Sequence, residues 1–365
     1  MRKLLTSIYR ASLAVVISAA CFQFGSARAQ VPDATAGEHV TITQADIDAA
    51  ASVKFHSFHV MAAGIPGARQ RAETLNAESA RRLAELEAER IDPDTVTPTP
   101  TATHFYPGDV VKGVKNGLLL PSAINHAVYI NAPKAGAASW GDPEGYLRDL
   151  FKDQFIHLTD QYTGSTKDNY TVGKNAMATY SLYGNVIYEH ELWAIVHAVA
   201  RTKGYGSGTG HIYHLFLPNN MDTCFEETEE CYSPDNFVAW VFCGYHDWID
   251  FSAKGDIGLV FFTVQPYQNV DGCAVHEPTP NGKLIDSTNS TLSHEVFETI
   301  TDPEPPNGFT NQLTLDEEGY EVSDECQPVT DDNGDFFIPT FPINGKKYAV
   351  QLEYSNFYHA CAVQP

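Results

Sequence analysis

Positive charge is what this chain has least of. Lys and Arg number 23 against 46 Asp and Glu in 365 residues, a formal charge of −23 at neutral pH. Such an excess of acid repels phosphate backbones and anionic lipid, which excludes nucleic acid and an anionic membrane surface as partners. Long apolar runs are also scarce. The one candidate, Ala11 to Phe22, falls short of the ~20 residues a membrane span requires, and no later stretch is longer. No Cys-x-x-Cys pair occurs, which removes the usual cysteine zinc site.

What is present begins with that apolar run. Arg2, Lys3 and Arg10 precede it, and Ala27-Arg28-Ala29 follows with small residues at the −3 and −1 positions of a cleavage site. Residues 1–29 read as a signal peptide and the protein as secreted or periplasmic, with no membrane span once the signal is removed. Removal takes four cations and no acid, so the charge falls from −23 to −27. Cys21 leaves with it. The six remaining cysteines, Cys224, Cys231, Cys243, Cys273, Cys326 and Cys361, are an even number in an oxidising compartment and read as three disulfides. Proximity across the acidic stretch FEETEE favours Cys224 with Cys231. The other pairings stay open.

Composition divides the rest. Residues 30–91 form an N-terminal helical segment, because Ala62 to Arg90 is rich in Ala, Glu, Arg and Leu with charges spaced for helical pairing. Residues 92–105 are a Pro/Thr linker. Residues 106–365 carry strand-like runs (Ser122 to Pro133, HIYHLFLP, NFVAWVFCGYH, DIGLVFFTVQPY) alternating with helical periodicity at 142–162, 188–202 and 290–301. With 43% hydrophobic residues a core is well supplied, and the order describes an α+β domain with a mixed β-sheet and packed helices. Nothing in residues 30–105 carries a catalytic pattern.

The chemistry concentrates in SHEVFETITDP, residues 293–303. His294 and Glu298 are one helical turn apart, so their side chains share a face and can converge on one ion. Glu295 points away by about a quarter turn, where a general base would stand in a zinc hydrolase. Asp302 continues the ligand face before Pro303 ends the helix, and Glu321 and Asp324 follow in GYEVSDEC. A zinc peptidase carries His where this chain has Glu298, so one divalent metal is expected, zinc favoured and calcium possible. The plain alternative is the acidic face of a solvated helix. Of the other histidines, His211 and His214 flank a strand and suit ordinary packing. His246, at the end of FCGYH, is the alternative ligand.

The segments STLSHEVFETITDP, YEVSDEC, YAVQLEYSNFYHAC, IYHLFLP and FCGYHDW, in that family's order over about residues 122–365, resemble the EXORDIUM or phosphate-induced protein family and its secreted bacterial relatives. That resemblance implies secretion and a shared fold. More distantly, the helix resembles the gluzincin metallopeptidases. This second resemblance implies a zincin-like fold with the metal helix after the sheet strands, His294, Glu298 and Glu321 as metal ligands, Glu295 as catalytic base, and Asp302 or Asp324 as orienting groups. The chain departs from the pattern in lacking the second histidine and in placing Glu321 in a turn. The expectation is an exported zinc-dependent hydrolase of peptide bonds. Its rival is a non-catalytic cell-envelope, signalling or binding protein of the EXORDIUM type. The partner in either case is an extracellular or periplasmic peptide, protein or envelope component.

Overall fold

The computed structural model describes residues 38–53, 56–90, 109–112, 117–132, 139–167, 169–181, 184–226, 230–252, 256–311 and 320–365. The expected signal peptide (1–29) and the Pro/Thr linker (92–105) lie outside the described residues. In chain order the elements are β1 (Glu38–Thr41), α1 (Gln44–Ala50), β2 (His56–Ala62), α2 (Ala68–Arg90), β3 (Val110–Lys112), β4 (Ser122–Ile130), α3 (Pro143–Leu150), α4 (Asp160–Thr163), β5 (Asn169–Val172), β6 (Ala176–Thr179), β7 (Val186–Tyr188) and α5 (Glu189–Lys203). They continue with β8 (His211–Phe216), β9 (Asp222–Cys224), β10 (Cys231–Tyr232), β11 (Phe242–Asp250), β12 (Leu259–Gln265), α6 (Lys283–Thr301), β13 (Phe309–Asn311), β14 (Thr340–Ile343), β15 (Lys346–Ala349), β16 (Glu353–Ser355) and β17 (Ala360–Ala362).

The sheet is mixed, as expected of an α+β domain. Its order is β1-β6-β4-β8-β12-β11-β2, with β5 beside β4. The pairs from β1 to β12 run parallel, whereas β11 pairs antiparallel with both β12 and β2. One face buries Val128, Leu215, Phe262 and Val264 with Leu192 and Val196 of α5. The other buries Ala127, Ile212, Phe216 and Phe261 against Leu292 and Val296 of α6. A strand covered on both faces has no polar side to show, and eight of the nine residues of β11 are buried.

The N-terminal segment does more than the helical reading of residues 30–91 allows. β1 and β2 are strands of the main sheet, and the helix starts at Ala68, after Gly67, instead of at residue 62. Val60 and Ala62, whose run merges into the Ala-rich stretch, belong to β2. Ala68, Ala72, Leu75 and Ser79 of α2 are buried at helical spacing. Asn76 accepts from Val60 N–H (2.8 Å) and donates to Val60 C=O (3.3 Å), and Ser79 Oγ accepts from Phe58 N–H (3.0 Å). Side chains of α2 thus satisfy the otherwise bare edge of β2, one of the standard ways a sheet edge is protected.

Three disulfides join Cys224 to Cys231, Cys243 to Cys273 and Cys326 to Cys361. The first is the pair proximity favours. The third ties the turn after Glu321 to the terminal β16–β17 hairpin. Among the described residues no helix is long and apolar enough to cross a membrane.

Candidate metal centre

Three elements bring the centre together. β2 and β11 place His59 and His246 directly opposite one another, so both rings point to the face covered by α6. α6 is buried from Asp286 to Thr301 and presents His294, Glu295 and Glu298. Gly244, two residues before His246, lets the helix lie close: a Cβ there would come 2.8 Å from Thr291 Cγ2 and 2.9 Å from Glu295 Oε1. The third element is the turn from Glu321 to Cys326, pinned by Ser323 Oγ donating to the His294 carbonyl (3.1 Å) and by Asp324 N–H donating to Glu298 Oε1 (3.2 Å).

Glu298 is the common member. Its Oε2 lies 3.1 Å from His294 Nε2, 3.8 Å from His246 Nδ1 and 3.9 Å from His59 Nδ1. His294 Nε2 also faces Asp324 Oδ1 at 3.5 Å, His246 Nδ1 faces Glu295 Oε2 at 3.4 Å, and His59 Nδ1 faces Glu321 Oε1 at 3.7 Å. The side chains fall into three groups of potential ligands: His294/Glu298/Asp324, His246/Glu295/Glu298 and His59/Glu298/Glu321. Within each, the donor atoms lie within 4.8 Å of one another.

Hydrogen bonds fix two of the rings. His246 Nε2 is 3.0 Å from the Asp302 carbonyl, a pure acceptor, so Nε2 carries a hydrogen and Nδ1 is the nitrogen that offers a lone pair to a cation when the ring is neutral. His59 Nε2 is 2.9 Å from Asn76 Nδ2, an amide donor, so Nε2 accepts and Nδ1 carries the hydrogen toward the carboxylates.

The electrostatics are one-sided. Glu295, Glu298, Asp302, Glu321, Asp324 and Glu353 are all buried, and among the described residues no Lys or Arg is. Arg69, whose charge Asp324 feels, sits half-exposed against Tyr320 and Glu73. Burial pushes Glu321, Asp324 and Glu353 well above the ordinary carboxylate range, and Asp302 up to about 7. Burial also raises Glu295, partly offset by His246. Glu298 goes the other way: burial opposes its charge, but His294 beside it holds the carboxyl below the usual range. Burial likewise opposes charge on His294, and Glu298 with the other acids outweighs it.

These residues fit a divalent cation. Both oxygens of Glu295 and of Glu321, both nitrogens of His294, His246 Nδ1 and Glu298 Oε2 are buried without a well-directed hydrogen bond, a costly state unless something else meets them. Five of the six histidine–carboxylate separations in the three groups, at 3.4–3.9 Å, are long for N–H···O bonds, and His246–Glu295 and His294–Asp324 stand at 3.4 and 3.5 Å. Two ligand atoms ~2.0–2.2 Å from one zinc at tetrahedral angles stand about 3.3–3.6 Å apart. The donor set of imidazole and carboxylate suits zinc or manganese.

All the expected residues of the motif meet here, with their company rearranged. His294 and Glu298 share a group, as their spacing implies. Asp324 completes it, where Glu321 was expected; Glu321 faces His59 and, at 3.7 Å, His246 Nε2. Glu295, expected to stand clear of the ligands as a base, is grouped with His246. Asp302 caps α6, its Oδ1 accepting from Gly308 N–H at 2.7 Å. His214 lies farther along the same sheet face, bonded to Thr263 and Asn125, and His211 pairs with His126. Neither reaches the centre. Sequence reasoning missed His59, in a segment set aside as helix and linker, and Glu353, whose pKa burial raises well above the carboxylate range. The signal for His59 was the alternation through SFHVMA, a strand pattern with one ionisable residue.

No family model, no curated protein and no solved structure matches this chain.

Proposed function

We propose that this chain is an exported metal-dependent hydrolase, with zinc the preferred ion, calcium next, and peptide bonds the first substrate class. The observation that carries the reading is the meeting of His294, Glu298 and Asp324 at ligand spacing among buried polar atoms that lack hydrogen bonds. Those three residues would hold the ion. When bound, a divalent cation supplies Lewis-acid polarisation of a carbonyl oxygen. Acid–base work falls to the chain's own carboxyls. Glu295 and Glu321 are both raised by burial, the direction that suits a carboxyl to acid–base work. The three disulfides agree with export. The zincin-like look of the helix motif is what points to peptide bonds.

One feature favours the rival, a secreted binding or signalling protein in which the ion is structural. His59 opens onto a cleft of about 50 Å³ between α2 and Pro305-Pro306, also lined by Glu73, Asn76 and Tyr320, room for a few waters and too little for a peptide. The two readings separate in one assay. Zinc-loaded mature protein should cleave members of a broad peptide library, lose that activity to a chelator, regain it with zinc, and show none as Glu298→Gln. If chelation lowers thermal stability while no peptide is cleaved under any condition, the structural reading takes its place.

A further inference from the structure

We propose that the centre holds two cations bridged by Glu298, the second on His246 Nδ1 and Glu295. The inference deepens the metal-dependent reading above and rests on it for the first ion. Glu298 Oε2 belongs to both groups, 3.1 Å from His294 Nε2 and 3.8 Å from His246 Nδ1. A carboxylate reached from two sides by imidazole nitrogens is placed as a bridge, and two-metal sites hold their ions ~3.5–4 Å apart.

The tautomers decide which histidines can serve. His246 gives its one hydrogen to the Asp302 carbonyl, the carbonyl-to-histidine arrangement that orients many metal ligands. Its Nδ1 lone pair then confronts Glu295 Oε2 at 3.4 Å and Glu298 Oε2 at 3.8 Å. Three electron-rich atoms in a dry interior need a positive charge among them: protons in the metal-free chain, a cation in the loaded one. Glu295 has no well-directed hydrogen bond on either oxygen, so it is free to be that ion's carboxylate ligand. His59 is excluded as a ligand because Asn76 occupies Nε2 as a donor and leaves a hydrogen on Nδ1. Its Nδ1 hydrogen faces Glu321 and Glu298 at 3.7 and 3.9 Å, too far for a hydrogen bond to either. Two cations follow, and a third does not.

Charge points the same way. The six buried carboxyls of the centre, with no Lys or Arg buried among the described residues, would if all ionised leave four negative charges uncompensated beside one dication and two beside a pair, a far smaller demand on protonation. With Glu295 as a ligand, Glu321 is the carboxyl left for acid–base work.

The test uses the full mature chain, stripped with chelator and reloaded with Mn²⁺ alone, followed by metal analysis and electron paramagnetic resonance. Two ions per chain with an exchange-coupled spectrum are expected. Glu295→Gln should fall to one ion and lose the coupling, and Glu298→Gln should weaken both sites. One ion per chain, or two with uncoupled spectra, overturns the pair; hydrolysis retained with a single ion leaves the proposed function standing. No bound ion overturns both. Should the substituted chains fail to fold, the stoichiometry and coupling of the unsubstituted chain decide alone.

Discussion

Glu298 and Glu353 are both fully buried acids in one neighbourhood, yet their substitution should have opposite results. Glu298 faces three histidines and accepts from Asp324 N–H. Glu298→Ala is expected to lose bound metal and about 3 kcal/mol or more of stability, as when one partner of a buried ion pair is removed. Glu353 belongs to none of the three ligand groups, and burial holds it well above its usual pKa. Glu353→Gln should keep the metal and change stability by no more than about 1 kcal/mol, in the stabilising direction. Metal analysis with thermal denaturation of both variants checks the contrast. Glu298 was legible because four-residue spacing on a helix fixes a shared face. The choice between Glu321 and Asp324 was not, because a turn's direction depends on what pins it, here Ser323 and the Cys326–Cys361 bridge. Glu353 returns to the centre from 55 residues beyond Glu298, a distance no local pattern encodes.

At the scale of elements, α2 and β2 act as a unit. Asn76 meets both backbone groups of Val60 and also His59, so its removal leaves three polar groups without that partner. Asn76→Ala should cost roughly 1–3 kcal/mol and speed hydrogen exchange at the Phe58 and Val60 amides well before the strands at the sheet centre. Unchanged exchange there would show that α2 is not what protects this edge. The helix itself could be read from composition. Its role could not, because an edge becomes visible only when the strand order is known, and β2 pairs with β11, a strand almost two hundred residues away. The antiparallel turn of β11 against an otherwise parallel run is equally non-local, whereas the individual runs of β8, β11 and β12 were plain from their apolar and aromatic content.

For the whole molecule the buried charge sets an unusual dependence on pH. Without metal, the centre's carboxyls of Glu295, Asp302, Glu321, Asp324 and Glu353 and its rings of His294 and His246 all have folded pKa values above their ordinary ones, and of these neighbours Glu298 runs the other way. The folded metal-free chain therefore binds more protons than the unfolded chain, and stability is gained as pH falls through those values. The Tm of the metal-free protein should rise from about pH 8 to roughly 6.5, the ordinary histidine value. Below that His214, depressed to about 3 by burial, and His126 and His211, also lowered by burial, oppose further gain. The metal-loaded protein should do the reverse, since protons compete with the ion for its ligands. Parallel melts across that range decide the sign.

Reduction should act on the same centre from a distance. The Cys326–Cys361 bridge closes a span of 35 residues that includes Glu353, and opening it should cost about 2–4 kcal/mol and loosen the turn that carries Asp324. Metal affinity should fall with it.

The most direct measurement is the metal content of the protein purified without chelator, read together with its Tm before and after chelation. At least one tightly held divalent ion per chain, a Tm that drops on chelation, and its recovery on adding zinc are the predicted results. A well-folded chain that carries no ion, and whose Tm is indifferent to chelator and to zinc, would contradict the metal centre.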